Sequence, residues 1–137
     1  MAMTILLAAL AAQALPTPRA VAAWETLPDD AAGHYFLDPA SISRDGDIAR
    51  ALVRGVANQV QASGRKTMMM RFRIDCRARA IGIEAADGYD AAGRLLGSQR
   101  IPPEQVASAP IGDRASLAAL ADRACRAPAG APAPAPS

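Results

Sequence analysis

The sequence is poor in the residues that most chemistry uses. Its 137 residues include one histidine (His34), one lysine (Lys66), one tryptophan (Trp24), two tyrosines and two phenylalanines. Aromatics make up only 4% of the chain. A single imidazole excludes histidine-rich metal sites and leaves any triad or thiol mechanism one candidate base. There is no CxxC pair, phosphate-binding glycine loop, Ser-His-Asp arrangement or paired-carboxylate motif. Charge of one sign is lacking too: 15 basic against 13 acidic residues give a net +2, which does not argue for specific nucleic-acid binding. The apolar run from Thr4 to Ala12 is too short for a membrane span, which needs about 20 residues. No cofactor is expected.

Large apolar side chains are also scarce. Hydrophobic residues are 51% of the chain, but 34 of them are alanine. The other 36 include eight in the first 23 positions. The core is therefore thin, and small domains bury a smaller share of their surface than large ones. A large enzyme with a deep, enclosed active site is not expected.

What the chain does have is organised in three parts. The opening MAMTILLAALAAQAL has the apolar h-region of a secretory signal, with small-x-small cleavage patterns at Ala12-Gln13-Ala14 and Ala20-Val21-Ala22. Residues 1–23 are expected to be a signal peptide, and the protein to be exported to the periplasm or cell surface. Residues 127–137, APAGAPAPAPS, alternate proline in a way that blocks helix and sheet bonding and favours an extended tail. One folded domain, 24–126, lies between.

Cys76 and Cys125 are the only cysteines. An even count in a small exported domain implies a disulfide. Metal ligation would need partners that one histidine and no third cysteine do not supply.

Hydrophobic periodicity gives strands first and a helix last. Trp24 to Leu27 is a short apolar start. Gly33 to Asp38 is an aromatic-rich strand that Pro39 is expected to end, with a turn over Pro39 to Ile42. Asp45-Gly46 is a hairpin signal, and a strand over Ile48 to Ala57 follows. From Lys66 to Arg79 alternation is strict: Met70, Phe72, Ile74 and Cys76 on one face, Arg71, Arg73, Asp75, Arg77 and Arg79 on the other. Ala80 to Ala86 and Arg94 to Ile101 are further strands, separated by a turn at Gly88 to Gly93. Arg114 to Arg126 carries a helical stripe of Leu117, Leu120, Ala121, Ala124 and Cys125, with Asp113 or Ser116 as the expected cap. The fold class is α+β: an antiparallel sheet of about five or six strands, with a C-terminal helix packed on one face and tethered through Cys76 and Cys125.

The arrangement resembles the surface-adhesin protein E family of exported bacterial proteins. The resemblance rests on Trp24, on Tyr35-Phe36-Leu37-Asp38-Pro39-Ala40-Ser41-Ile42, and on Asp75-Cys76. It continues through Tyr89 to Gly93, Pro110-Ile111-Gly112 and the terminal Cys125. It implies an antiparallel sheet with a disulfide-tethered C-terminal helix. It also implies an outer-surface adhesin of the kind that binds host matrix proteins and plasminogen.

The sharpest candidate surface is the arginine ladder Arg71, Arg73, Arg77 and Arg79, whose side chains would stand about 7 Å apart along one strand face. It would engage a polyanionic polymer or a host or envelope protein; the competing reading is a solvated face balanced by Asp75 and neighbouring acids. His34 is expected to be a half-exposed strand residue. Glu84, Asp87 and Asp90 lack calcium-loop spacing. Met68, Met69 and Met70 cannot share one strand face, which disfavours soft-metal binding. The functional expectation is a non-enzymatic envelope or surface module binding a protein or polyanion through its sheet face. The alternative is a periplasmic accessory or inhibitor protein.

Overall fold

The computed structural model describes residues 23–128 and 130. The expected signal peptide through residue 22, and most of the Pro/Ala-rich tail, lie outside the described residues.

The chain runs up and down through β1 (Glu25–Leu27), β2 (Gly33–Asp45), β3 (Ile48–Ala57), β4 (Arg65–Asp75), β5 (Ala80–Asp90) and β6 (Leu95–Arg100). These six strands pair in chain order, all antiparallel. A two-residue strand, β7 (Ala109–Pro110), pairs with the start of β5. The chain closes with helix α1 (Ala115–Cys125). This is the expected α+β sheet with one C-terminal helix, and the sheet has seven strands.

Gly46 sits at φ 59° in the two-residue turn between Asp45 and Ile48, the left-handed backbone that glycine adopts without a Cβ clash. Pro39, in contrast, does not end its strand. β2 continues to Asp45 through an irregularity between Asp38, opposite Leu52, and Ser43, opposite Arg50. Inside it the Ser41 hydroxyl donates to the Asp38 carbonyl at 2.6 Å and accepts from the Leu52 N–H at 2.8 Å. Asp38 Oδ1 accepts from the Ala40 N–H at 3.0 Å. Side chains thus replace the ladder bonds that a proline-containing bulge cannot make.

β4 ends at Asp75 instead of continuing to Arg79. Asp75 Oδ1 accepts from the N–H groups of Arg77 (3.1 Å) and Ala78 (2.9 Å), which folds the chain into a tight turn. β5 runs to Asp90, beyond the expected turn at Gly88, and Asp90 closes the turn by accepting from the N–H groups of Ala92 and Arg94.

The core lies between α1 and one sheet face. Leu37, Ile74 and Leu120 are its largest fully buried side chains, and Ala49, Ala51, Ala121 and Ala124 are buried beside them. These four small side chains allow close approach of helix and sheet. The helix is fastened at its C-terminal end. Cys76 and Cys125 form the expected disulfide, with Cα atoms 5.8 Å apart. Arg44 Nη1 donates to the carbonyls of Cys125 (2.6 Å) and Ala127 (3.0 Å), supplying donors where a helix leaves its last carbonyls unpaired. At the other end Arg114 is the N-cap and makes no side-chain capping bond, so neither Asp113 nor Ser116 caps the helix. Ser116 is instead buried on the inward face.

Candidate functional site

Register decides which side chains share the face away from the helix. Residues paired in an antiparallel ladder point to the same side. Asp38, Leu52, Arg71, Ala85 and Arg100 form one cross-strand row, and Phe36, Arg54, Met69, Asp87 and Ser98 form the next. Arg50 lies directly opposite Arg73. The outer face of β3 and β4 therefore carries four arginines, Arg50, Arg54, Arg71 and Arg73. Arg100 stands two strands away, on β6.

Two of these cations have fixed partners. Arg50 Nε reaches over β4 to Glu84 on β5 at 3.0 Å. Arg100 Nη1 bonds Asp87 at 2.8 Å. Hydrogen bonds from Arg100 and Ser98 hold the Asp87 carboxyl below the usual carboxylate range. Among the described residues, Arg54, Arg71 and Arg73 have no carboxylate within ion-pair distance. Arg54 and Arg71 are exposed, and Arg73 is partly so. Arg50 and Arg73 are the one pair of like charges on facing positions, and Glu84 balances Arg50.

The four ladder residues separate in space. Arg71 and Arg73 share the outer face of β4. Arg77 and Arg79 lie past its end, in the turn that Asp75 organises. Arg79 has a left-handed backbone (φ 55°) and pairs with Asp122 on the helix at 2.9 Å. Asp75, an expected balancing acid, is occupied by backbone N–H groups. Nothing in the local sequence pattern marks Arg50 and Arg54. Their two-residue spacing from Leu52 puts them on one face of β3, but only the β3–β4 register sets them beside Arg71 and Arg73.

His34 is exposed on the outer side of β2, with Nδ1 3.3 Å from Asp29. Met69 takes the outer face while Met68 and Met70 take the inner, as alternation requires. Among the described residues no three His, Cys, Asp or Glu side chains converge as a metal-binding group, and no helix is long and apolar enough to cross a membrane.

The inner face holds a second feature. The helix packs on β1 to β4. The segment from Ile101 to Ile111 returns alongside β5, held by the Ile101 N–H to the Glu84 carbonyl (2.9 Å) and the Ile111 N–H to the Arg79 carbonyl (3.1 Å). Along the β5 edge it comes so close to Gly82, the outer-face partner of Arg73, that a Cβ there would lie 2.6 Å from the Ala107 carbonyl oxygen. Between this segment and α1 is an apolar cleft of about 470 Å³. Phe72 and Ile83 form part of its floor, Ile101 and Ala107 one wall, and Leu117 and Leu120 the other.

Tyr35, Gln105, Arg114 and Ser116 are the polar side chains that line the cleft. Tyr35 donates its hydroxyl to Asp30 Oδ1 at 3.0 Å, and Asp30 Oδ1 also accepts from the N–H groups of Ala32 and Gly33. Burial raises the Asp30 carboxyl, but the Tyr35 bond, the two N–H groups and Arg114 outweigh it and leave it below its ordinary value. Burial, and then the bond to Asp30, push the Tyr35 phenol up.

The family model described as surface-adhesin protein E matches the chain over residues 24–126. No curated protein sequence matches it. Among solved structures, the chain is similar to crystal form II of Haemophilus influenzae protein E. That match has 15% identity and a TM-score of 0.49, and covers 66% of this chain and 79% of that one.

Proposed function

The chain belongs to the surface-adhesin protein E family, and on that premise we propose that it is an exported, non-enzymatic surface module that holds a polyanion or an acidic protein segment on its outer sheet face. The observation that carries this reading is the cluster of Arg50, Arg54, Arg71 and Arg73, in which Glu84 is the one paired acid. Guanidinium forks suit carboxylate, sulfate and phosphate groups, which they grip with two parallel hydrogen bonds. A sheet presents them on a regular grid, about 7 Å apart along a strand and about 5 Å between strands. Leu52 and Met69 lie in the same rows and add apolar contact for a protein ligand. Arg77 and Arg79 flank the patch at the end of β4, with Arg79 committed to Asp122.

The test is retention on heparin resin across a salt gradient. Arg71→Glu combined with Arg73→Glu is expected to elute at clearly lower salt than the unaltered protein, because fewer counterions are released on binding. Arg94→Glu combined with Arg126→Glu, which changes net charge equally but lies away from the patch, is expected to elute later than the first pair. Equal retention of the Arg71/Arg73 variant and the unaltered protein would overturn the assignment.

A further inference from the structure

Resting on the outer-face reading above, we propose that the occupant of that face is an acidic amphipathic helix of another protein, seated along the diagonal Tyr89, Met69 and Leu52. Register sets these three on neighbouring strands, one step apart. Tyr89 stands opposite Thr67 on β4, Met69 opposite Arg54 on β3, and Leu52 opposite Arg71. Diagonal neighbours of this kind lie about 7–8 Å apart. All three are half-buried on the face away from α1. Ala51 and Val53, on either side of Leu52, point the other way and are 2% exposed in the core.

Cations border this diagonal. Arg54 lies on one side of it, and Arg71 and Arg73 lie on the other, next along β4 from Met69. An apolar stripe between two borders of positive charge is the complement of an amphipathic helix, whose own apolar stripe has positions on both sides that can carry Asp or Glu. Three helical turns, about 16 Å, cover the diagonal. An extended segment fits less well. It turns every second side chain to the sheet in single file, and it gains backbone hydrogen bonds at a sheet edge, not on a face. A sulfated or phosphorylated polymer would use the arginines and leave the apolar diagonal idle.

Charge also decides where the helix comes from. Residues 1–22 and 127–137 contain no Asp or Glu, so neither end of this chain supplies it. Helix α1 carries one acid, Asp122, which is paired with Arg79, so the helix of a second copy does not match either. The occupant is a helix of a different, acidic protein.

The experiment titrates the full chain with two synthetic peptides of identical Glu, Leu and Ala composition, and follows methyl resonances by NMR and peptide helicity by circular dichroism. The first peptide has leucines at helical spacing bordered on both sides by glutamates; the second is scrambled so that no stripe forms. Saturable shifts at Leu52, Val56 and Met69 and a gain of helicity are expected with the first, and affinity about tenfold weaker for the second. Leu52→Thr with Met69→Thr is expected to weaken the first peptide about tenfold and to leave elution from heparin unchanged. Arg71→Glu with Arg73→Glu is expected to weaken both. Equal affinity of the two peptides, which would mean a polyanion site indifferent to apolar pattern, would overturn the helix. So would the absence of saturable shifts with the first peptide, or shifts confined to inner-face methyls such as Ile83 and Leu117. The peptide comparison uses the unaltered protein, so it holds even where a variant fails to fold. Heparin retention judges the cationic face independently of either peptide, so failure of the helix and failure of the outer-face reading are told apart.

Discussion

At the scale of single residues, the least conspicuous side chains carry most of the construction. Ser41 looks like an ordinary turn residue in the sequence, yet its hydroxyl supplies the missing ladder partner of the Leu52 N–H across an irregular stretch of β2. Ser41→Ala would leave that part-buried N–H unpaired and is expected to cost about 1–3 kcal/mol. Ser41→Thr, which keeps the oxygen, is expected to cost less. Urea denaturation of both variants checks this, and equal midpoints would show that the hydroxyl has no such role. Arg44 is another case. Beside Asp45-Gly46 it looks like a hairpin residue, but it caps the far end of a helix that begins 71 positions later. No local pattern announces either role, because both depend on a partner distant in sequence or on backbone irregularity.

At the scale of elements, β4 shows how far alternation is legible and where it stops. Met70, Phe72 and Ile74 face inward and Arg71 and Arg73 outward, as the period of two requires. Continuation to Arg79 failed because Asp75 offers its carboxylate to the next two backbone N–H groups, and a turn competes with the strand. The consequence is geometric: the cationic surface extends sideways to Arg50 and Arg54 on β3, not lengthways to Arg77 and Arg79. Arg50 directly opposite Arg73 places like charges across one pair. Arg73→Thr is expected to stabilise the domain by up to about 1 kcal/mol at low salt. The gain should shrink as salt screens the repulsion. A melting series across ionic strength tests this, and a variant less stable than the parent at low salt would show that Glu84 already balances the pair.

At the scale of the whole molecule, a core of few large side chains is held by a covalent clamp. The Cys76–Cys125 link closes a loop of 49 positions between the end of β4 and the end of α1. The chain-entropy estimate for such a loop is about 4 kcal/mol, comparable to the net stability of many small domains. Cys76→Ser with Cys125→Ser is expected to lose most of that, read as a large fall in the urea midpoint; an unchanged midpoint would show the core to be sufficient alone. The clamp also has a geometric effect. It fastens only the C-terminal end of α1, over β1 to β4, while the N-terminal end stands over the cleft beside β5.

The sequence by itself determined the element types, the strand faces and the family. Alternation, the Asp-Gly turn and the helical stripe are local signals, written within a few residues of the elements they specify. It also determined the cysteine pairing, since only one pair exists and both members lie on core-facing positions. Only the tertiary structure decided the outer cation cluster and the inner cleft. The first depends on the register between β3 and β4. The second depends on where a helix with an alanine-rich face settles on a sheet wider than itself. Both are set by the sum of many long-range contacts, and a one-residue slip in register would send every arginine of β4 to the opposite face.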